Sequence, residues 1–313
     1  MKYNKILNLV SPDKSEIKFT KNIYPDGQNN LVIDVMYKEF GQLWLNELLN
    51  QTKVTIKSRL NNWLDLELII CAVASLRELG VEEIHLYTPY IVGARSDRKF
   101  EEGGNNYLKD VICPVINSLN FKTVTCIDPH SDVLEACIKG FRKEDNSKLV
   151  SWAISHLPRK KQWKYNDMVL VSPDAGASKK IYKLAEQIGY KGDIITCSKD
   201  RDTEGKLTKT VVPYSRSEND LKKDYIIIDD ICDGGATFIN IAKEIKKHQL
   251  FTGKIYLIVT HGIFSKGFEE LSEYFDGIYC TNSYQDIERD SHFSEDLIFD
   301  KEYDEKVKQL NVF

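Results

Sequence analysis

Hydrophobic and polar positions follow two rhythms along this chain. Short apolar runs rich in β-branched and aromatic residues recur between polar or glycine-bearing segments: Lys5–Val10, Leu31–Val35, Val54–Ile56, Ile84–Tyr87, Thr123–Ile127, Met168–Val171, Ile194–Cys197, Tyr225–Ile228, Lys254–Val259 and Gly277–Thr281. Runs that lack strict alternation suit strands buried on both faces. Between them apolar residues recur at helical spacing. Leu64, Leu68, Ile69, Ala72, Val73 and Leu76 form one such face, entered through Asn61-Asn62 and closed by Gly80. Helices are also expected over about 105–119 and 178–188, and over Phe238, Ile241, Ala242 and Ile245 with Thr237 as the N-cap. Strands alternating with helices predict an α/β fold built on parallel sheets covered on both faces.

The pattern loosens over 146–164, where Arg159, Lys160, Lys161 and Lys164 cluster. That cluster reads as solvated surface at a domain junction. The expected division is a first domain over 1–150, a second over 151–295 and a mixed, acidic tail over 296–313 that joins the first domain. Tyr24-Pro25-Asp26-Gly27 predicts a turn between two strands. The polar stretch that follows Lys199-Asp200-Arg201-Asp202, up to Asp224, is expected to hold a mobile loop and a short strand pair.

Composition narrows the function classes. The chain has 313 residues, 42% hydrophobic and 29% charged, enough for two domains. A net charge of -4 supplies no global basic field, so nucleic acid is not an expected partner. Seven cysteines (Cys71, Cys113, Cys126, Cys137, Cys197, Cys232 and Cys280) form no C-x-x-C pair. Most lie in apolar runs, as reduced core thiols of a cytoplasmic protein would. The longest apolar stretch, Leu66–Leu76, contains Glu67 and Ser75 and is too short to span a bilayer; the N-terminus lacks a signal-peptide apolar region. No membrane association is expected.

The candidate chemistry gathers after the predicted strands: Arg95, Asp97 and Arg98, then His130, Asp174, Lys199 and Arg201, and finally Asp229, Asp230 and Asp233. In open α/β sheets the carboxyl edge is where ligands bind. The stretch Tyr225 to Thr237 reads as a buried strand with two carboxylates at its end, a Gly234-Gly235 turn and a helix start. Glycines let backbone approach a ligand, and amides at a helix start favour phosphate. The two acids suit sugar hydroxyls or a water-held metal, so the stretch suits a ribose carrying phosphate. The plainer reading is an ordinary strand-turn-helix whose acids cap the turn. Lys199 and Arg201, two apart, suit gripping phosphate oxygens from one side of a strand; the plainer reading pairs them with Asp200 and Asp202 on a solvated loop.

Six segments in order carry a resemblance to the ribose-phosphate pyrophosphokinase family: Tyr24-Pro25-Asp26-Gly27, Pro89-Tyr90 through Ala94-Arg95-Ser96-Asp97-Arg98, Ile127-Asp128-Pro129-His130, Val171-Ser172-Pro173-Asp174-Ala175-Gly176, Asp229 to Thr237, and Thr260-His261-Gly262-Ile263-Phe264-Ser265. The resemblance implies two tandem phosphoribosyltransferase-like domains, assembled as a homodimer or homohexamer. It implies transfer of the β,γ-diphosphoryl group of ATP to the anomeric hydroxyl of ribose 5-phosphate, with AMP leaving and Mg2+ required. By motif, Arg95, Ser96, Asp97 and Arg98 fall on the ATP loop, and Asp26 and Gln28 on a loop that reaches a neighbouring subunit's adenine. His130 and Asp174 fall on metal positions, with His130 also among the catalytic positions. Lys199 and Arg201 fall on the catalytic basic pair, and Asp229, Asp230, Asp233, Gly234, Gly235, Ala236 and Thr237 on the ribose-phosphate loop. Without the resemblance, His130 reads as a structural histidine closing its turn. His261 is read as structural in either case.

Departures from the family pattern bear on the acceptor. Gly234 stands where a threonine hydroxyl is usual, and Ala236 where glycine is usual. A lost charge-assisted hydrogen bond is worth about 1.5–3 kcal/mol. A 5-substituted ribose phosphate such as ADP-ribose, with the same anomeric hydroxyl, is therefore the alternative acceptor. Ser96 replaces a usual glutamine and Gln28 a usual glutamate. The segment after Val35 lacks the family's allosteric pattern, so that regulation is not expected. A nucleobase phosphoribosyltransferase or a non-catalytic partner of a synthetase are weaker readings; the Arg95–Arg98 loop and the retained Lys199 and Arg201 argue against them.

Overall fold

The structure, a computed structural model, describes residues 3–34, 52–158, 167–201, 207–213, 220–287 and 306–313. The expectations for the segment after Val35, for the basic cluster Arg159–Lys164 and for much of the tail fall outside them. The chain forms two compact units, Met1–Asp145 with Val312–Phe313, and Asn146–Asn311.

The first unit is built on five parallel strands in the order β1 (Tyr3–Asn8), β4 (Thr52–Lys57), β5 (Glu83–Tyr87), β6 (Thr123–Ile127) and β7 (Phe141–Glu144). Helix α1 (Trp63–Glu78) starts at Asn62, whose side chain accepts the Asp65 amide, and it buries Leu66, Ile69, Ala72 and Leu76 against Val54, Ile56, Ile84 and Leu86. The helix expected near 105–119 is a wide helical turn, Leu108–Ile112, running into α2 (Cys113–Ser118). A short α3 (Val133–Cys137) and β7 were not expected; β7 is an edge strand with one half-buried residue and no periodic signal. The Pro25-Asp26-Gly27 turn joins the antiparallel hairpin β2 (Phe19–Ile23) and β3 (Asn29–Ile33), with Gly27 at φ 90°.

The second unit carries six parallel strands in the order β15 (Val307–Leu310), β14 (Gly277–Thr281), β13 (Ile255–Gly262), β12 (Asp224–Cys232), β8 (Met168–Ser172) and β9 (Asp193–Thr196). Period-two alternation divides β12 between two cores. Tyr225 and Ile227 pack with Ile241, Ala242 and Ile245 of α6 (Ala236–Lys246). Ile226 and Ile228 pack with Ile181 and Leu184 of α5 (Ala175–Gln187) and with Leu149 and Val150 of α4 (Ser147–His156). Burial on both faces explains the unbroken apolar run. A second antiparallel pair, β10 (Ser198–Arg201) and β11 (Leu207–Val211), follows β9, with a register irregularity between Asp200 and Arg201.

Three expectations change here. The loosened stretch before residue 158 contains α4, whose apolar positions Leu149, Val150 and Ala153 make a short stripe. The tail's strand β15 pairs with β14 of the second sheet, and only Val312 and Phe313 group with the first unit. Thr237 lies inside α6; the N-cap is Gly235, left-handed at φ 79° with no side-chain cap. A further helix, α7 (Glu269–Tyr274), joins β13 to β14. Among the described residues, no helix is long and apolar enough to cross a membrane.

Leu257 on β13 is fully buried between its neighbours. Leu257→Ala should lose about 2–5 kcal/mol of stability through lost transfer energy and a residual cavity, read as a lower urea midpoint at unchanged slope.

Candidate functional site

Strand register creates the site in the second unit. β12 pairs with β8 only from Asp224 to Ile227, but with β13 as far as Cys232 opposite Gly262. The last residues of β12 therefore run on past β8. Asp229 and Asp230, expected at the end of this strand, lie within it, and the strand continues to Cys232. Alternation sends Asp230 to the α5 side, where it is buried and Lys180 Nζ of α5 donates to its Oδ2 at 2.8 Å. Asp229 accepts the Asp230 amide at 2.9 Å. Its carboxyl is pushed up to about 8, first by burial and then by the charge of Asp230, with Asp174 adding to the rise; the Asp230 amide and Lys180 oppose it.

After Cys232 the chain turns through Asp233, Gly234 and Gly235 into α6. Gly235 needs its φ of 79°, and a Cβ there would meet Leu271 Cδ2 at 2.9 Å. Among the described residues, the amides of Gly234 to Thr237 reach no protein acceptor, so they present donors at a helix start. The neighbouring turn after β13 is tied to this one. Ile263 and Phe264 amides donate to the Cys232 carbonyl at 2.9 and 3.1 Å, and Ser265 Oγ donates to Asp233 Oδ1 at 2.6 Å.

Asp174 caps α5, accepting the Ala177 amide at 3.1 Å, while Ser172 Oγ donates to the Asp174 carbonyl at 2.7 Å. Lys199 and Arg201 both lie on β10, which opens from the carboxyl end of β9. Parallel strands thus bring Asp174, the β10 pair and the 229–237 segment to one edge of the second sheet. His261 lies at the same edge but is buried, its Nδ1 2.8 Å from Ser283 Oγ, which fits a structural role. Burial holds the Cys232 and Cys280 thiols up at about 12, away from thiolate chemistry.

The remaining candidates sit in the first unit. Arg95, Ser96, Asp97 and Arg98 lie in the loop after β5. The Leu108 amide donates to the Ser96 carbonyl at 3.0 Å, and Asn106 Nδ2 to the Asp97 carbonyl at 2.6 Å. Gly93 makes this fold possible: its φ is 78°, and a Cβ would strike the Tyr107 ring at 2.7 Å. His130 follows β6 on the same edge and is exposed, and Asp128 in the same turn is buried at φ 42°. The Ile127 amide donates to the Pro89 carbonyl at 3.0 Å and links the two loops. Asp26, Gly27 and Gln28 at the β2–β3 tip line a cavity of about 390 Å3 with Trp63, Leu64 and Glu67.

Among the described residues, no three His, Cys, Asp or Glu side chains cluster as a ready-made metal site. Mg2+ does not require one: one or two carboxylates suffice when water and substrate phosphates complete the shell. The hard oxygen donors Asp174, Asp229 and Asp230 match that chemistry.

No family model matches the chain. Curated proteins do. The chain is 24% identical over 249 residues to the ribose-phosphate pyrophosphokinase of Saccharolobus solfataricus, covering 79% of this chain and 78% of that protein. It is 29% identical over 231 residues to that of Mycoplasmopsis pulmonis, covering 73% and 67%. This chain is a divergent relative of the ribose-phosphate pyrophosphokinases. Phosphoribosylpyrophosphate synthetase from Mycobacterium smegmatis shares its fold at a TM-score of 0.74, with 99% of this chain and 95% of that one covered at 17% identity. The shared fold is one of two mostly parallel sheets flanked by helices.

The site also holds two lysines that sequence reasoning passed over. Lys180 is six residues beyond Asp174 on a helix face otherwise marked by apolar positions, and Lys266 follows the Thr260–Ser265 segment. Only the fold shows what they face.

The raised Asp229 carboxyl has a measurable consequence. The folded chain holds this proton more tightly than the unfolded chain, so the associated stability is present below the ordinary carboxylate range. It is lost as pH rises from about 4 towards 8. Asp229→Asn keeps an oxygen for the Asp230 amide and removes the titration. Its stability should decline less steeply across pH 5 to 8, by up to about 1.4 kcal/mol per pH unit, measured by urea unfolding; parallel curves for parent and variant would rule out the burial of this charge.

Proposed function

We propose that this chain transfers the β,γ-diphosphoryl group of ATP to the anomeric hydroxyl of ribose 5-phosphate, giving phosphoribosyl pyrophosphate and AMP. The reading is carried by one arrangement: an acid pair on a strand that outruns its neighbour, followed by a left-handed glycine and a helix start with unclaimed amides. It occurs in a chain whose curated relatives are ribose-phosphate pyrophosphokinases.

In this mechanism Asp229 and Asp230 orient the ribose through its hydroxyls, and the amides of Gly234 to Thr237 receive its 5-phosphate. The anomeric oxygen attacks the β-phosphorus, the bond from that phosphorus to the oxygen of the α-phosphate breaks, and the hydroxyl proton is released. Phosphoryl transfer of this kind depends on alignment and charge neutralisation more than on covalent help. Lys199 and Arg201 supply cationic donors to the oxygens that gain charge. Arg95, Ser96, Asp97 and Arg98 hold ATP, and Asp26 and Gln28 serve the adenine of a neighbouring subunit in a homodimer or homohexamer. Mg2+ would neutralise phosphate charge; Asp174 would hold it in the second unit, and His130 is the candidate metal position of the first. A cytoplasmic setting accompanies this reading, since both substrates are soluble metabolites.

The test is AMP release with ATP, Mg2+ and ribose 5-phosphate, run beside ADP-ribose as the acceptor. Turnover with ribose 5-phosphate is expected, and chelation should abolish it. Lys199→Ala should lower kcat by about 10²–10³. Turnover with neither acceptor would overturn the reading, and nucleobase-dependent consumption of phosphoribosyl pyrophosphate would replace it with a phosphoribosyltransferase.

A further inference from the structure

Gly234 is a glycine that its backbone does not require. Unlike Gly235, it has no left-handed φ. The space above it is taken: a Cβ at position 234 would lie 3.3 Å from Cδ, 3.4 Å from Cε and 3.5 Å from Cγ of Lys266. The stem of Lys266 thus lies across the bare face of the turn, and its ammonium, one bond beyond Cε, is carried to the rim of the same turn. A larger side chain at 234 would have to displace that stem. The backbone under Lys266 is fixed on both sides. Ser265 is bonded to Asp233, Ile263 and Phe264 are bonded to Cys232, and the Gly267 amide donates to the Phe264 carbonyl at 2.8 Å. Lys266 is exposed and, among the described residues, its ammonium has no carboxylate partner.

We propose that Lys266 is the acceptor-binding cation of this turn, and that it selects an acceptor whose 5-phosphate is a terminal monoester. The inference rests on the diphosphokinase reading above and specifies its acceptor. A hydroxyl at 234 would offer one neutral donor; an ammonium offers three charged donors on a flexible stem. A point charge rewards the net charge of its partner. A terminal phosphate carries nearly two negative charges at neutral pH, because its second pKa is near 6; a phosphate substituted on both sides, as in ADP-ribose, carries one. Asp233 adds a negative charge to the turn itself, so a cation beside the α6 amides matters more here than at a neutral turn. Gly234 and Lys266 form a matched pair: the missing side chain makes room for the lysine that takes over its role.

Three measurements test this on the full chain: calorimetric binding of ribose 5-phosphate, AMP release with ribose 5-phosphate, and AMP release with ADP-ribose. Each is made on the parent and on Lys266→Met, which keeps the stem and removes the charge, with Lys266→Gln as a second neutral variant and Lys266→Arg as the conservative one. The neutral variants should weaken ribose 5-phosphate binding and raise its KM by about 10- to 100-fold, leave KM for ATP within about twofold, and shrink the preference over ADP-ribose. Lys266→Arg should recover part of the loss, and KM should rise less steeply with salt in the neutral variants. A parent that turns over ribose 5-phosphate alongside variants of unchanged KM and preference overturns the Lys266 assignment alone. A parent that prefers ADP-ribose keeps the diphosphokinase chemistry and overturns the monoester selection. A parent that neither binds nor turns over ribose 5-phosphate overturns both readings.

Discussion

Two carboxylates on consecutive residues of a buried strand are a costly arrangement, and the second unit is organised around making it tenable. Like charges this close oppose each other's ionisation, and burial opposes both. Strand alternation separates them onto opposite faces of β12. Lys180 then compensates Asp230 from α5, while Asp229 is left as the acid that resists ionisation. This division depends on register. Because β12 continues along β13 after its pairing with β8 has stopped, the acids stand where α5 can reach them and where a ligand can approach from the open side.

The same edge collects the loops. Parallel strands deliver every connection after β8, β9, β12 and β13 to one end of the sheet, and α5, α6 and α7 return the chain after β8, β12 and β13. The turn after β12 and the turn after β13 are bonded to each other, so the open amides of Gly234 to Thr237 and Lys266 sit on one braced frame. A reaction that needs alignment more than covalent chemistry benefits from such a frame, since donors already in place need no reorganisation as charge develops. The tension at Asp229 is the cost of that preparation: a group useful to a sugar hydroxyl is held in a setting that weakens the fold at neutral pH.

The elements most legible in the sequence were those buried on both faces. Tyr225–Ile228 and Met168–Val171 read as strands of a covered sheet because their apolar runs have no polar face to turn outward. Asn62 and Gly80 marked the ends of α1 by local backbone chemistry. Edge strands β7 and β15 were not legible, since half-buried residues carry no strong period, and α4 was hidden by a short apolar stripe in a polar segment. The N-cap of α6 was misread because Thr237 looks like a cap locally, whereas contact with Leu271 and a left-handed backbone assign that place to Gly235.

The site divides in the same way. Sequence alone determined which residues carry charge after which strands, because motif spacing and the strand-helix rhythm are local properties. It also exposed the departure at Gly234. The tertiary structure decided what those residues face. Lys180 meets Asp230 from fifty positions away, and Lys266 covers Gly234 from thirty-two positions away. Neither pairing has a local signal, because contacts between side chains on different turns and helices are set by how the layers pack.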